Sequence, residues 1–385
     1  MILIRRPVVL AALGGTLSLL ATIALIEISR SWQQPTPIAG DPAIYGEMAD
    51  AILGGAIPYV DVTVEHLPVL LVPILFVGIL VPLTSVSYTG LWVLVTIGFV
   101  LITVALADRI TLVENYQRRF TLVVLPMLPL VIFRLEIYVV LLAILAIGAF
   151  AASHYRTGSI WTLLGIVAKG WPIALVGIPL RRKHTALAIA VVGISVAALG
   201  IVLSLPGFQQ GRSFEGIHSE TIVGNIILIY RHLTGRDLGL IGVAGATYVS
   251  APAVAVVANA LIALPIIAIA IRTTFRTKRM DLLVGAAGLG VAGIIALSPL
   301  FSAQFMFWLV PFVALLSKRG RSAYVVAATL STALVAFWNP FEAWWAIEVF
   351  ARNTAFIILV VAWVCELRSE LSKATPVPSR AENLA

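Results

Sequence analysis

The chain has 385 residues, of which 60% are hydrophobic and 11% are charged. A soluble domain is about half apolar and about a quarter charged, so this composition excludes an ordinary soluble protein and indicates a helical membrane protein. The net charge of +8 would suit a nucleic-acid-binding protein. The basic residues lie at the ends of apolar runs, however, which is typical of cytoplasmic loops in a membrane protein. We therefore expect a lipid bilayer as a partner, and no nucleic acid.

Apolar segments recur along the chain, and about 20 such residues are needed to cross a bilayer as a helix. The clear segments are 7–27, 89–107, 120–134, 135–152, 184–204, 252–271, 281–299, 305–317, 322–338 and 353–365. All basic loops can lie in the cytoplasm only if segment 67–83 turns back on the outer side and segment 160–180 is two half-helices broken at 169–172. The alternative, in which both segments cross once, stays open at this stage.

The preferred topology predicts an all-α polytopic membrane protein with about 12 transmembrane helices, some of them short or broken. Residues 1–368 are expected to form one membrane domain whose first apolar segment is retained. Both termini are expected in the cytoplasm, with 369–385 as a disordered tail. Two long extracytoplasmic loops are predicted at 28–88 and 205–250.

The first of these loops concentrates acidic residues. Segment 40–68 carries five of the 18 carboxylates, at Asp41, Glu47, Asp50, Asp61 and Glu65. Residues 41–54 predict a short surface helix with Asp41 near its N-cap and two glycines at its end. Glu47 and Asp50 are expected to face solvent. Asp41 can cap the helix, and a carboxylate at the membrane surface can also accept a proton from a hydroxyl.

The motifs of this loop resemble those of the GT-C superfamily of polyprenyl-phosphate-sugar-dependent glycosyltransferases. The likeness is to the bacterial phosphatidylinositol-mannoside mannosyltransferases in particular. The motif residues are Asp41, Tyr45, Gly55, Pro58, Tyr59, Asp61, Glu65 and Pro68. His66 stands where the family pattern has tyrosine, and Leu67 where it has proline. Segments 134–149, 165–175 and 297–311 are similar to further family segments.

The resemblance implies a GT-C-type bundle with extracytoplasmic surface helices, in a bacterial plasma membrane. It implies an inverting glycosyltransferase whose active site is extracytoplasmic and whose general base is Asp41. The donor would be a polyprenyl-phosphate-sugar, with mannose as the expected sugar, and the acceptor a glycolipid or cell-envelope polymer. No cofactor or metal is expected. A divalent cation bound by Asp61, Glu65 and His66 stays as the less favoured alternative.

The remaining candidate residues carry polar groups near the predicted outer face. The predicted substrate-binding residues are Tyr45, Tyr59, Asp61, Glu65, His66, Arg134, Glu136, Lys169, Arg212, His218, Arg231 and Gln304. Lys169 interrupts an apolar run, where a charge costs about 2.5–3.5 kcal/mol, and it can bind a phosphate or pair structurally. Arg134 and Glu136 either form an ion pair that holds the site or contact substrate. A solvated loop explains the polar residues of 205–250 equally well.

A different class of protein, a transporter or flippase of lipid-linked sugars, also fits part of the pattern. A helix broken at 169–172 would suit it, because transporters use discontinuous helices to build binding sites. The acidic residues, however, concentrate in a surface loop rather than at membrane depth. The sequence therefore favours the glycosyltransferase.

Overall fold

A computed structural model of the chain describes residues 40–209, 216–243, 246–251, 253–336 and 341–374. The first apolar segment, 7–27, and the candidate residue Arg212 lie outside the described residues. The part of the chain that is described is almost entirely helical.

The helices are numbered in chain order. They are α1 Gly40–Leu53, α2 Pro68–Leu83, α3 Tyr88–Ala107, α4 Tyr116–Val124, α5 Leu128–Val131, α6 Glu136–Ala151, α7 Tyr155–Lys169, α8 Trp171–Arg181, α9 Thr185–Leu203, α10 Pro206–Gln209, α11 Ile222–Thr234, α12 Ala253–Arg276, α13 Met280–Leu297, α14 Ala303–Val313, α15 Lys318–Ala336 and α16 Ala343–Ala374. The first parts of α2, α8 and α14 are 3₁₀-helical, and a 3₁₀ turn at Leu125–Met127 joins α4 to α5.

Within the described residues, five helices are long and apolar enough to cross a membrane, namely α3, α9, α12, α13 and α16. Other apolar helices are shorter, among them α2, α6, α8 and α14. The chain is thus a helical membrane protein by the length and composition of its helices. The larger number of about 12 spans stays a prediction.

The fold is nearly all-α. It differs from the predicted all-α fold by a small antiparallel sheet, which lies between α10 and α12 in the chain. Its strands are β1 Ile217–His218, β2 Leu240–Val243 and β3 Ala246–Val249, in the order β1-β3-β2. Strands of two and four residues are too short to show a period-two pattern, which is why the sequence did not predict them.

The bundle has two chemically different ends. One, called the basic end, contains the loops at 108–115, 152–154, 182–184, 277–279 and 314–317. The ring of Tyr155 stacks on His184 with centroids 4.3 Å apart. Nearby, Arg181 Nε donates a hydrogen bond to the Thr277 carbonyl at 3.0 Å. These contacts join the start of α7 to the start of α9, and the end of α8 to the loop after α12.

Further contacts bring the remaining basic loops to the same end. Arg279 binds Glu370 at 3.2 Å, and the Ser317 amide donates to Glu366 Oε2 at 2.9 Å. Ile110 lies beside the last turns of α6. The basic loops therefore share one end of the bundle, and the cytoplasmic position of that end stays a prediction.

Segment 67–83 begins and ends at the opposite end, called the site end. The Tyr59 hydroxyl donates to the His66 carbonyl at 2.7 Å just before α2. After α2, the Tyr88 hydroxyl donates back to the Ile74 carbonyl at 2.9 Å. Helix α3 starts at this end too, because its Trp92 packs on Tyr45 of α1. Both ends of α2 therefore lie near α1, and the return of segment 67–83 on the outer side of the membrane stays a prediction.

Segment 160–180 is broken where the sequence predicts. Helix α7 ends at Lys169, and Gly170 has a φ of +71°, a conformation that favours glycine. The chain then folds back, so that Pro172 packs directly on Gly165, where an added Cβ would lie 3.0 Å from the proline ring. The start of α7 and the end of α8 both lie at the basic end. The two pieces therefore form a hairpin whose tip is at Lys169.

The glycines of α13 allow close helix packing. A Cβ at Gly288 would lie 2.3 Å from Phe312 and 2.4 Å from Trp363. Both aromatic side chains are fully buried. A larger residue at Gly288 would force α13 away from α14 and α16.

The C-terminal segment begins as a helix rather than as a disordered tail. Helix α16 continues to Ala374, so residues 369–374 are helical and that part of the prediction is wrong. The salt bridges of Glu370 with Arg279 and Lys373 stabilise this last part of the helix. Residues 375–385 lie outside the described part of the chain.

Candidate functional site

Four charged side chains from three parts of the chain meet at the site end. Asp41 lies in the first turn of α1, and Arg134 and Glu136 lie where α6 begins. Lys169 is the last residue of α7. Arg134 forms an ion pair with Asp41, and Lys169 forms an ion pair with Glu136. The negative charge of Glu136 also acts on Arg134, so the two pairs are neighbours.

The Asp41 carboxylate is held by one of its two oxygens. The Tyr45 hydroxyl donates to Oδ2 at 3.2 Å, and the Arg134 guanidinium donates to the same oxygen. Burial raises the pKa of Tyr45 well above its usual value, so the phenol stays protonated and remains a donor. No hydrogen bond from the described residues reaches Oδ1. The carboxylate is therefore oriented by its neighbours through Oδ2.

Glu136 is the most deeply buried charge of the group. Its side chain is 1% exposed, whereas that of Lys169 is 20% exposed. A buried carboxylate without a partner costs several kcal/mol, so the ion pair with Lys169 offsets the cost of burying Glu136. Arg134 and Glu136 were expected either to form an ion pair that holds the site or to contact substrate. Each forms an ion pair, but the partners are Asp41 and Lys169 rather than each other. Arg134 lies in the bend before α6 and Glu136 in its first turn, and their side chains point to different partners.

Aromatic rings from α14 surround the ammonium group of Lys169. Its Nζ lies 5.9 Å from the ring centre of Phe305 and 5.7 Å from that of Trp308. These two rings stack on each other at 4.1 Å, and Trp308 also stacks on Trp171 at 6.1 Å. The predicted residue Gln304 precedes Phe305 and is partly buried. One side of the site is thus an aromatic surface that attracts cations.

Two predicted substrate-binding residues instead shape the first loop. Tyr59 is buried, has a φ of +67° and accepts a hydrogen bond from the Gly207 amide at 2.9 Å. Burial raises the pKa of Tyr59 to about 12. Asp61 is exposed, and its Oδ2 accepts a hydrogen bond from the Ile57 amide at 2.8 Å, which closes a turn. The contacts of these two residues are therefore structural.

His66 and Glu65 are adjacent in the chain but differ in their surroundings. The His66 ring lies edge-on to Tyr45 at 5.5 Å, so it adjoins the Asp41 group. Glu65 is exposed. Glu47 and Asp50 are exposed on α1, as predicted.

His218 lies behind the aromatic surface and fixes the loop that leads into α14. Its amide donates to the Pro299 carbonyl at 3.0 Å, and its Nδ1 donates to the Phe301 carbonyl at 3.1 Å. Burial is the main reason why the pKa of His218 lies below its usual value. His218 thus positions α14 through the backbone of residues 298–302.

A buried arginine next to this histidine is not among the residues predicted from the sequence. Arg352 is fully buried, its guanidinium lies 4.1 Å from the ring centre of Phe301, and it donates to the Glu220 carbonyl at 2.7 Å. The signal was present, because an arginine within α16 interrupts an apolar stretch as Lys169 does. Arg352 joins α16 to the chain between β1 and α11.

Arg231 has a structural role in the second loop. It donates to the carbonyls of Leu238 at 2.5 Å and Ser250 at 2.8 Å. Its guanidinium therefore ties the end of α11 to both sides of the sheet. The structure does not bring it to the Asp41 group through any contact among the described residues.

One open cleft lies at the basic end of the bundle. It has a volume of about 410 Å³ and is lined by Ser153, His154, Tyr155, Arg156, Thr157, His184 and Leu187. Its lining shares no residue with the charged group of the site end. Among the described residues, no three His, Cys, Asp or Glu side chains lie together as a metal site would require.

Comparison of the chain with protein-family models, with curated proteins and with solved structures gives no match. The site must therefore be interpreted from its own geometry.

Proposed function

We propose that this protein is an inverting glycosyltransferase that moves a sugar from a polyprenyl-phosphate-sugar to a lipid-linked or cell-envelope acceptor. The observation that carries the proposal is the state of Asp41. Tyr45 and Arg134 hold its Oδ2, and no described residue donates to its Oδ1. The order of motifs in the first 180 residues supports the same function.

Asp41 would act as the general base. The acceptor hydroxyl donates its proton to Oδ1 while its oxygen attacks the anomeric carbon of the donor sugar. The bond between that carbon and the phosphate oxygen breaks, and its electron pair leaves with the polyprenyl phosphate. The ion pair with Arg134 would hold the carboxylate of Asp41 in a fixed orientation toward the acceptor. A single displacement of this kind inverts the anomeric centre.

Lys169 would stabilise the leaving phosphate. Its ammonium is partly exposed at the tip of the α7–α8 hairpin, and hydrogen bonds between charged groups are about twice as strong as neutral ones. Phe305 and Trp308 line the same place and would contact the donor sugar. This arrangement lets the two substrates approach from the site end while their lipid tails stay in the bilayer.

The basic loops at the opposite end support an extracytoplasmic position for the site. Basic loops are retained on the cytoplasmic side of membranes, which would put Asp41 and Lys169 outside the cytoplasm. We propose a bacterial plasma membrane as the location and mannose as the sugar. The choice of mannose depends on the resemblance of the first loop to the mannosyltransferases.

Substitution of the base tests the reaction. Purified protein in nanodiscs is incubated with radiolabelled polyprenyl-phosphate-mannose and a glycolipid acceptor, and product formation is measured. Asp41→Asn should lower the rate by about 10² to 10⁴, the usual contribution of a general base. Glu47→Gln, on the exposed side of the same helix, is the matched control and should keep the wild-type rate. A folded Asp41→Asn variant with wild-type turnover would refute the role of Asp41.

A transporter of lipid-linked sugars is the second candidate, and the broken hairpin at Lys169 favours it. Interrupted helices with a charge at the break are used by transporters to bind substrates. The same nanodisc experiment, repeated in sealed vesicles, separates the two functions. Release of free polyprenyl phosphate supports the enzyme, whereas translocation of the intact donor supports the transporter.

A further inference from the structure

Helix α11 carries an apolar stripe that no described part of the chain covers. Ile226 is 52% exposed, Tyr230 50% and Leu233 82%. Their spacing of four and three residues puts them on one side of the helix. The stripe lies outside the site described above, and neither the catalytic nor the transport proposal uses it.

The other side of α11 is fixed to the start of α16. Asn225 Nδ2 donates to the Ala346 carbonyl at 2.9 Å. Leu228 belongs to a cluster of fully buried side chains that includes Trp345 and Val349. Helix α11 therefore has one packed side and one apolar side without a partner among the described residues, at the level where α16 begins.

Helix α16 itself exposes an apolar face that continues along its membrane-length body. The exposed side chains of that face are Trp344, Ile347, Phe350, Ile357, Ile358 and Val361. In a helix that is long and apolar enough to cross a membrane, such a face is covered by lipid. Since α11 is attached to the buried side of the first turns of this helix, at Trp345 and Val349, its stripe lies at the height where α16 reaches the membrane surface.

The polar residues of α11 match a position at that surface. Arg231 and His232 lie in its last turn, and the guanidinium of Arg236 lies 5.5 Å from the ring centre of Tyr230. Tyrosine is enriched at membrane–water interfaces, and arginine close to the surface is attracted to lipid phosphates. Helices that lie in the interface combine a strong apolar side with basic residues in this way.

We propose that α11 lies in the headgroup region of the lipid leaflet at the site end, with Ile226, Tyr230 and Leu233 among the acyl chains and Arg236 against lipid phosphates. A second protein is a less suitable occupant. A stable interface buries about 800 Å² on each partner, which three side chains do not provide. The bilayer requires no such area, because α16 already anchors the chain in it.

The test measures whether lipid or water surrounds the side chain at position 233. Leu233→Cys is made in a Cys365→Ala background, spin-labelled, and placed in nanodiscs of phosphatidylcholine and phosphatidylglycerol. Collision rates with lipid-soluble oxygen and with a water-soluble nickel chelate are then compared. Asp237→Cys, exposed in the turn after α11, is the aqueous control, and Val361→Cys on α16 is the lipid control.

We expect the ratio of oxygen to nickel collisions at Leu233 to be several-fold above that at Asp237 and to approach that at Val361. A ratio equal to that at Asp237 would show that the stripe faces water and would overturn the proposal. Dipolar broadening between labels at Leu233 would show contact between two copies and would overturn it too. If the Leu233 variant does not fold, Ile226→Cys reports on the same stripe. Loss of glycosyltransferase activity is not part of the readout, so this result is independent of the proposed function.

Discussion

Ion pairs occur at both ends of the bundle, but they are built differently. At the site end, the side chains of Glu136 and Lys169 are 1% and 20% exposed. At the basic end, those of Arg279 and Glu370 are 44% and 37% exposed. A charge in water needs no partner, whereas a buried charge does. Pairing at the site end is therefore a requirement of the fold, and pairing at the basic end is not.

The two ends also differ in what their charges do for the molecule. Basic loops orient membrane proteins in general through their number and sign, so no single arginine of the basic end needs a defined partner for such a role. Asp41 and Arg134 must meet in one geometry, because Tyr45 donates to the same oxygen of Asp41. The comparison separates charges that orient the protein from charges that form a site.

The largest predicted effect is the difference in accessibility between the two ends. A reagent outside the cell should reach residues at the site end and none at the basic end. Arg118 at the basic end and Glu47 at the site end are both exposed. Each is replaced by cysteine in a Cys365→Ala background and treated with a membrane-impermeant thiol reagent in intact cells. We expect labelling of Glu47→Cys and none of Arg118→Cys until the membrane is permeabilised. Labelling of Arg118→Cys from outside would contradict the assignment of the basic end to the cytoplasm.

The next largest effect is the loss of the buried pair at the site end. Lys169→Met removes the partner of Glu136 and should lower the free energy of unfolding by about 3–5 kcal/mol, because it leaves a buried charge uncompensated. Thermal unfolding in detergent measures the loss. The double variant Lys169→Met/Glu136→Gln should recover most of it, since neither charge is then left alone. A loss in the single variant no larger than that of a surface pair, below about 1 kcal/mol, would show that water reaches Glu136.

Much of the fold follows from local signals in the sequence. The surface helix from residue 40 to 53 was indicated by Asp41 at its start and glycines at its end. The break of 160–180 was indicated by a lysine, a glycine and a proline within four residues. These signals act over one or two helical turns, so a single sequence is enough to find them.

The partners of the site residues could not be predicted in the same way. Asp41 and Arg134 are 93 positions apart, and Glu136 and Lys169 are 33 apart. Which charges meet depends on how helices pack, and helix packing is not encoded in the spacing of charges along one chain. The residue types were informative, because charges in apolar segments are rare, but their pairing required coordinates.

His218 provides a smaller, pH-dependent test at the site end. Burial holds its pKa below the usual value of about 6.5, so the folded protein favours the neutral ring. Below about pH 6.5 the unfolded chain binds a proton that the folded chain does not. The stabilising contribution is therefore present above that pH and is lost as the pH falls, by at most about 1.4 kcal/mol per pH unit.

The measurement is the free energy of unfolding from about pH 7.5 down to about pH 5, a range that spans the usual histidine pKa. His218→Gln should flatten the decline below about pH 6.5, the pKa of an unfolded-state histidine. His154→Gln, an exposed histidine at the basic end, should leave the decline unchanged. An unchanged slope in His218→Gln would mean that His218 is accessible to solvent. Glu220 and Arg352 also face this ring, and their opposite effects on its pKa limit the size of the change.

The smallest effect is predicted for the exposed pair of the basic end. Arg279→Ala removes the salt bridges to Asp281 and Glu370, and should change the free energy of unfolding by less than about 1 kcal/mol. Solvent already stabilises both carboxylates, and added salt should reduce even this difference. If Arg279→Ala instead destabilised the protein as much as Lys169→Met does, burial would not be what distinguishes the two ends. The site-end pair would then owe its position to function alone, and not to a requirement of the fold.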